Sequence, residues 1–492
     1  MGLIPLAIPP GVWRQGTAYQ AKGRAYDANL VRWYGSSIGP IKGWRNRGST
    51  TVTGKARCVV SWRAGEARWS AVGTHQKLYA ISSSASYFDI TPTDFVAGDA
   101  SASLKTGFGY GTFGSGTFGT PRADTGDYIP ATVWDLDNIG SYLVGCAESD
   151  GRLLLWQLNT GTDAAAVTNA PTSCNGVFVS NELAMVALGA GGNPRKVQWS
   201  DLVNYTVWSP LSTNKAGDVE LATPGAIMGG RRMPYNALIW TDLDVWTMTY
   251  IGDNEVYQFK KVGEDCGALS RGCMTTIGQQ AVWWGQQGFM TFDGSVRPLR
   301  CDVQDYVLGR LNIAQRSKIT CFHNPERNEI WWFYPSNSGT ENDSYVYWDY
   351  KFDHWNIGTL SRLCAVEPGI FVYPIAFDGD GQGYEHEVGS SYAGASPYVR
   401  TGPIELGNGD RVMRATALIQ DEGTEGLETV GFYTRQYPNG DETTVATVSL
   451  DSSGKTDIRF TARQAEMLVT FAANNAARWG APRLELAEGG RR

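Results

Sequence analysis

The sequence predicts an all-β fold: a β-propeller of six or seven blades beside a second, β-sandwich-like domain formed by the N- and C-terminal segments. Three observations predict it. A strand-like unit rich in Trp and Tyr returns every few tens of residues between Val59 and Val388, and repetition on that scale marks an array of small sheets. Aromatic residues make up 12% of the chain, with 18 Trp and 23 Tyr, and together with Val, Ile and Thr they favour pleated, half-buried surfaces. The 59 Gly and 21 Pro in 492 residues supply the tight turns that short strands need.

Residues 1–50 carry PPGVWRQGT, GRAYDANLVRW and PIKGW and are expected to form the first part of the second β domain, because chain termini often lie close together in compact folds. The propeller is expected over residues 51–395. Its unit is two short β-type runs joined by a polar turn: KLYAIS and YFDITP, SYLVGCA and RLLLWQL, ELAMVALG and KVQWS, ALIWT and DVWTMTYI, QAVWWG and GFMTFDG, EIWWFYP and SYVYWDY, then IFVYPIAFD. With Tyr79, Leu143, Leu183, Leu238, Val282, Ile330 and Phe371 as equivalents, the steps are 64, 40, 55, 44, 48 and 41 residues. Propeller repeats use roughly 40 to 50 residues per blade. The longest step spans an insertion, SLKTGFGYGTFGSGTFGTPRADTG, at residues 103–126. There Gly alternates with Phe108, Tyr110, Phe113 and Phe118, a pattern too free in its backbone and too sparse in side chains to build a core. These four aromatics are the candidate contact residues for a channel or a partner, against the simpler reading of a surface excursion. Helical periodicity is scarce; over residues 303–319, Val307, Leu311 and Ala314 share one face and predict a short connector. Residues 396–492 alternate as strands and are expected to complete the sandwich-like domain.

The adjacent pairs Trp283–Trp284 and Trp331–Trp332 place one ring on each face of a strand, which predicts either burial on both sides or a subunit contact. Arg362, Arg400, Arg411 and Arg414 are candidate rim or interface residues.

A formal net charge of −7 disfavours gripping a phosphate backbone as the main task. The apolar start MGLIPLAIPPG is too short and too broken by Pro for a membrane span, and it lacks the basic region of a secretory signal. Eight Cys scattered without a dense framework predict free, mostly buried thiols of a reducing compartment.

Chemistry-bearing motifs are weak. The four His, at 75, 323, 354 and 386, have no metal-ligand spacing, and His386 between Glu385 and Glu387 reads as a solvated turn. Cys266 and Cys273 stand too far apart for a zinc knuckle. Asp378-Gly-Asp380-Gly-Gln-Gly resembles the start of a calcium loop, but its twelfth position is Gly389, which cannot supply the bidentate carboxylate. No catalytic residue, metal or cofactor is expected. Paired carboxylates keep a second possibility open, since two acids at the right separation can cleave a glycosidic bond: Asp135 and Asp137, Asp242 and Asp244, Glu264 and Asp265, Asp349 and Asp353.

Residues 247–273 (TMTYIGDNEVYQFKKVGEDCGALSRGC), 282–307 (VWWGQQGFMTFDGSVRPLRCDVQDYV) and 328–362 (NEIWWFYPSNSGTENDSYVYWDYKFDHWNIGTLSR) resemble tail-hub or nozzle proteins of short-tailed bacteriophages (podoviruses), a group that includes packaged-DNA stabilisation proteins. PPGVWRQGT with GRAYDANLVRW at the front, and RFTARQAEMLVTF with WGAPRLELAEGGRR at the end, resemble the same proteins, so the likeness covers most of the chain. The resemblance implies a structural virion protein of the phage tail, assembled in the host bacterial cytoplasm, and not an enzyme. It implies a ring, a homohexamer, below the portal and its adaptor at the head-to-tail connector, with other tail proteins such as a fibre or needle as neighbours. The ring would extend or close the channel and retain packaged DNA until ejection, passing it without sequence-specific binding. On that reading the loop carrying Phe108, Tyr110, Phe113 and Phe118 is expected to act as a compliant seal. The alternatives are a carbohydrate-binding or glycan-active propeller and, third, a receptor adhesin at a tail tip.

Overall fold

The computed structural model describes residues 2–104, 128–202, 204–252, 255–406, 409–421, 428–450, 453–472 and 477–490. Seven four-stranded antiparallel sheets follow one another along the chain. Their first strands are Ala56–Ala64, Trp134–Ile139, Gly176–Val179, Ile227–Arg232, Met274–Ile277, Thr320–Asn324 and Cys364–Val366. Each packs beside the first strand of the next sheet, and the seventh returns to the first. The ring therefore closes, as a seven-bladed β-propeller.

Closure uses the N-terminal segment. Blade 7 runs Cys364–Val366, Ile375–Phe377, Gln382–His386 and then Trp44–Thr51, with His386 opposite Trp44 and Gln382 opposite Thr51. The boundary expected at residue 50 thus falls earlier, and residues 44–51 belong to the propeller. The segment WRNRGSTT hid this because its outer-edge position leaves most of its side chains exposed, so it lacks the alternating apolar signal of a half-buried strand.

The second strands begin at Ala67, Tyr142, Met185, Ala237, Gln280, Glu329 and Ile375, in steps of 75, 43, 52, 43, 49 and 46 residues. Tyr79 lies on the third strand of blade 1, Leu78–Ser82, so the repeat alignment is offset there by one strand. The connection between blades 1 and 2 holds the insertion. Its ends are joined by a two-residue ladder, Ser103 opposite Ile129 and Leu104 opposite Tyr128, while Phe108, Tyr110, Phe113 and Phe118 lie outside the described residues.

Aromatic rings fill the wedges between blades. Trp134 lies so close over Gly73 of blade 1 that a β-carbon there would stand 2.5 Å from its ring, and its Nε1 donates to the Thr74 carbonyl at 2.7 Å. Trp332 packs with Phe289 of blade 5, ring centroids 4.7 Å apart, whereas its neighbour Trp331 stacks on Tyr347 at 4.5 Å. Successive residues therefore enter two different cores. Trp283 and Trp284 are fully buried as well, so both tryptophan pairs serve packing between sheets rather than an exposed subunit face.

The chain's two ends share two further sheets. Gly2–Pro5 pairs with Arg483–Glu488, and Ala25–Asn29 pairs with Tyr398–Thr401. The strand Lys455–Ala462 alternates exposed and buried residues throughout, as a strand with one solvated face must. Phe432 of one sheet meets Phe460 of the other at 5.0 Å between centroids, which closes the sandwich. This domain packs on the outer strand of blade 6, His354–Thr359, through Ala25–Asn29. The connector expected over 303–319 is a short helix, Gln304–Arg310, followed by a 3-10 turn, Ile313–Lys318.

Candidate functional site

In each blade the first–second and third–fourth turns lie at one end, and the second–third turns and blade-to-blade connections lie at the other, because adjacent strands are antiparallel. The insertion therefore leaves from the connection end. There a cavity of about 240 Å³ runs along the axis, bordered by Arg57, Cys58, Arg231, Lys318, Cys321 and Cys364. A wider space of about 550 Å³ adjoins it, bordered by Glu148, Arg271, Arg316 and Ser317.

Two charge clusters meet at this end. The Arg57 guanidinium donates to both oxygens of Glu341, at 2.7 and 2.9 Å, and the Lys318 Nζ donates to the same carboxylate at 2.9 Å and to Ser101 Oγ at 3.0 Å. Gln315 adds two bonds to the backbone of Ala102, at 3.0 and 3.2 Å, so this cluster anchors the foot of the insertion. Burial pushes the Glu341 carboxyl up, but bonds from Arg57 and Lys318 outweigh it and hold it below its ordinary range. The balance falls the other way for Lys318, whose burial lowers its pKa despite Glu341. In the second cluster Asp135 accepts from Arg231 at 3.3 Å and from Arg271 at 3.2 Å. Gly176 of blade 3 makes room for it: a β-carbon there would stand 2.1 Å from Asp135 Oδ2 and 2.5 Å from Arg271 Nη1. Beside it, Asp137 pairs with Arg232 at 3.0 Å and accepts from the Val179 amide at 2.9 Å.

The channel thiols are not poised nucleophiles. Burial raises the pKa of Cys58 to about 12 and pushes those of Cys321 and Cys364 well above the ordinary thiol range, whereas reactivity needs the thiolate. All eight Cys are free.

The sequence-selected carboxylates serve local structure. Asp244 accepts from Thr241 Oγ1 at 2.6 Å and Trp246 Nε1 at 3.0 Å, and Asp242 accepts from the Ala226 amide at 2.8 Å. Asp349 accepts two turn amides, from Lys351 and Phe352, Asp353 accepts from Trp348 Nε1, and Glu264 meets Lys261 at 3.0 Å. Asp378 closes a turn, accepting from Asp380 and Gln382 amides and from the Tyr384 hydroxyl. Among the described residues, no group of three or more His, Cys, Asp or Glu could hold a metal ion.

Two readings change. His386 ends a strand rather than occupying a solvated turn. Its Nε2 accepts from Arg362 Nε at 2.8 Å, and burial, then the Arg362 charge, drives its pKa well below the ordinary value. Arg362 is no rim residue: it lies buried over Tyr384 at 4.2 Å and Trp44 at 5.0 Å. Arg400 pairs with Glu442 and Glu466 within the sandwich, Arg411 pairs with Glu488, and Arg414 is exposed on the strand Met413–Ile419.

Sequence reasoning missed Arg57, Arg231, Arg271, Lys318 and Glu341. The available signal was a basic residue at or just before a first strand, as in KARCVV and GGRRM, where an edge facing only core would exclude charge.

At the opposite end, blades 3 and 4 present an apolar surface. Tyr235 is 75% exposed, and Leu183, Tyr250 and Ile251 are exposed on neighbouring turns. Those turns touch: Asn181 Nδ2 donates to the Met233 carbonyl, Tyr257 donates to Glu182, and Tyr250 packs edge-on against Tyr257 at 5.7 Å.

No protein-family model matches the chain, and no curated protein matches it. Among solved structures it is similar to streptogramin B lyase, at 6% identity over 70% of this chain and 96% of that one with a TM-score of 0.38. It is similar to the WD40 β-propeller domain of Doa1, at 9% identity over 70% and 97% with a TM-score of 0.41. An exo-β-1,3-galactanase from Phanerochaete chrysosporium matches at 11% identity over 91% and 100% with a TM-score of 0.31. These likenesses carry neither substrate nor activity.

Proposed function

We propose that this chain is a structural subunit of a bacteriophage tail, a hub or nozzle protein that forms a ring with copies of itself below the portal and adaptor. It retains packaged DNA until ejection and performs no catalysis. The observation that carries its assembly role is the exposed apolar surface of Leu183, Tyr235, Tyr250 and Ile251. Exposed apolar groups on neighbouring turns mark contact surfaces, and this one lies on blades 3 and 4, two to three blades away from the second domain on blade 6. A head-to-tail contact between two such sides generates a ring when its rotation closes. The phage assignment rests on the resemblance of the sequence phrases, and the engagement of seven of the eight candidate acids, all but Asp265, in turns or ion pairs favours a scaffold over a glycosidase.

Mass photometry and negative-stain imaging of the pure protein, alone and with a portal and adaptor, test the reading. A ring that docks beneath them is expected. The double substitution L183D and Y235E is expected to leave the monomer folded, surface changes costing about 0.5 kcal/mol or less, and to abolish the ring. A persistent wild-type monomer overturns the reading, as does saturable binding or turnover of an oligosaccharide in a panel.

A further inference from the structure

The clusters at the connection end are short of negative charge. Arg57 and Lys318 share Glu341, and Arg231 and Arg271 share Asp135, so among the described residues four cations face two carboxylates in these pairs. The other charged groups about the axis do not correct this. Asp137 pairs with Arg232, Glu148 and Arg316 add one of each sign at the mouth, and Glu367 lies at the far end, 3.5 Å from His323.

Donors are left over as well. Arg57 and Arg271 are only 4% and 5% exposed, and the Nε of each is buried without a partner. Ser317, which borders both the cavity and the mouth, has a buried hydroxyl without a partner. A concave site with one sign of charge and low-dielectric walls concentrates counter-ions, and guanidinium groups recognise planar or tetrahedral oxyanions through paired N–H donors.

We propose that the connection end of the propeller channel binds a small, doubly charged oxyanion of the phosphate class, at Arg57, Arg231, Arg271, Lys318 and Ser317. Among the described residues cations outnumber carboxylates here by at least two, with Lys55 also acting on Lys318, which favours a multiply charged anion. The cavity of about 240 Å³, bordered by Arg57, Arg231, Lys318 and Ser317 and joined at Ser317 to the space that Arg271 borders, admits a free ion and excludes a nucleic-acid strand, so the site is distinct from any passage for DNA. An anion here would also tie the foot of the insertion to the channel wall, since Lys318 bonds Ser101 and Gln315 bonds Ala102.

The test uses the full chain and inorganic phosphate, read by calorimetry and phosphorus NMR at constant ionic strength, with chloride as the control. One saturable site per chain is expected, with a rise in melting temperature that chloride does not reproduce. R271Q is expected to weaken binding about tenfold or more, the scale of one charge-assisted contact, while R459Q, on the strand Lys455–Ala462 of the second domain, leaves it unchanged. E341Q removes a competing carboxylate and is expected to tighten binding. No saturable phosphate binding overturns the proposal, as does R271Q binding like the wild type, or E341Q binding more weakly. Should R271Q fail to fold by near-ultraviolet circular dichroism, S317A carries the same test: weakened binding supports the site, and unchanged binding removes it.

Discussion

Two buried charge clusters in this molecule use the same residue types to opposite ends. Between the second domain and blades 6 and 7, Arg32 bonds Glu329 through Nη2 at 2.7 Å and Glu387 through Nη2 at 2.8 Å, and Arg327 approaches Glu387 at 3.4 Å. Two cations there meet two carboxylates, with Arg32, Glu329 and Glu387 all less than a tenth exposed. At the channel mouth four cations meet two carboxylates beside open space. The balanced cluster is a clamp. The unbalanced one is left with an attraction that no ion pair among the described residues satisfies. Charge balance together with access to solvent, rather than burial alone, separates a structural ion pair from a binding site.

Breaking the clamp is expected to have the largest effect. R32M leaves Glu329 and Glu387 buried without their main partner, a change that costs about 3–5 kcal/mol in comparable cases. The same substitution combined with E329M and E387Q removes the orphaned charges and is expected to recover a large part of that loss. Denaturant midpoints of the two variants and the wild type decide it. If R32M unfolds with the wild type, the clamp contributes nothing and the domains are held by the surrounding packing, including Tyr345, which accepts the Leu30 amide, and Tyr347, which donates to the Val31 carbonyl.

The channel cluster is expected to respond more mildly to a steric change. G176A places a methyl where Asp135 and Arg271 now meet, and overpacking of this kind costs about 1–3 kcal/mol. The informative readout is the pairing itself. A crystal structure of the variant should show Arg271 displaced from Asp135, and an unchanged pair would remove the role assigned to Gly176.

The contrast also explains what the sequence could show. The propeller was legible because its second and third strands carry near-continuous apolar and aromatic runs such as EIWWFY and SYVYWD, buried throughout in the structure. The sandwich was legible from alternation in its C-terminal strands, strict in Lys455–Ala462. The closing strand Trp44–Thr51 was not, because an outer edge needs only Trp44 and Arg47 inward near its start. The clusters were not legible because Arg57, Asp135, Arg231, Arg271 and Glu341 converge from blades 1, 2, 4, 5 and 6, and no local spacing records such a meeting. The aromatic rings that drew attention in the sequence proved to be wedges between blades, so abundance pointed to packing and position pointed to chemistry.

The smallest expected effect separates the two regions by pH. His354, at the start of the outer strand of blade 6, stands against Trp33 of the second domain, ring centroids 5.8 Å apart, and the backbone of Gly11 lies against its β-carbon. Both of its ring nitrogens are buried without partners. Burial lowers its pKa from the ordinary 6.5, and Asp349 and Asp353 only partly oppose that lowering. The unfolded chain therefore takes up a proton at about pH 6.5 that the folded chain refuses until lower pH. Stability from this group is complete above the unfolded value and is lost as pH falls through the folded one; His386, lowered in the same direction, adds to the trend. A tenfold difference in proton affinity between the folded and unfolded chain corresponds to about 1.4 kcal/mol. Glu341, held below the ordinary carboxylate range, begins to titrate only at more acid pH, so the domain contact weakens before the channel cluster does. H354F keeps the ring against Trp33 and removes the titration. Melting temperatures measured from pH 7.5 to 5 should fall less steeply in H354F than in the wild type, and parallel curves would show that this histidine does not set the acid response of the interface.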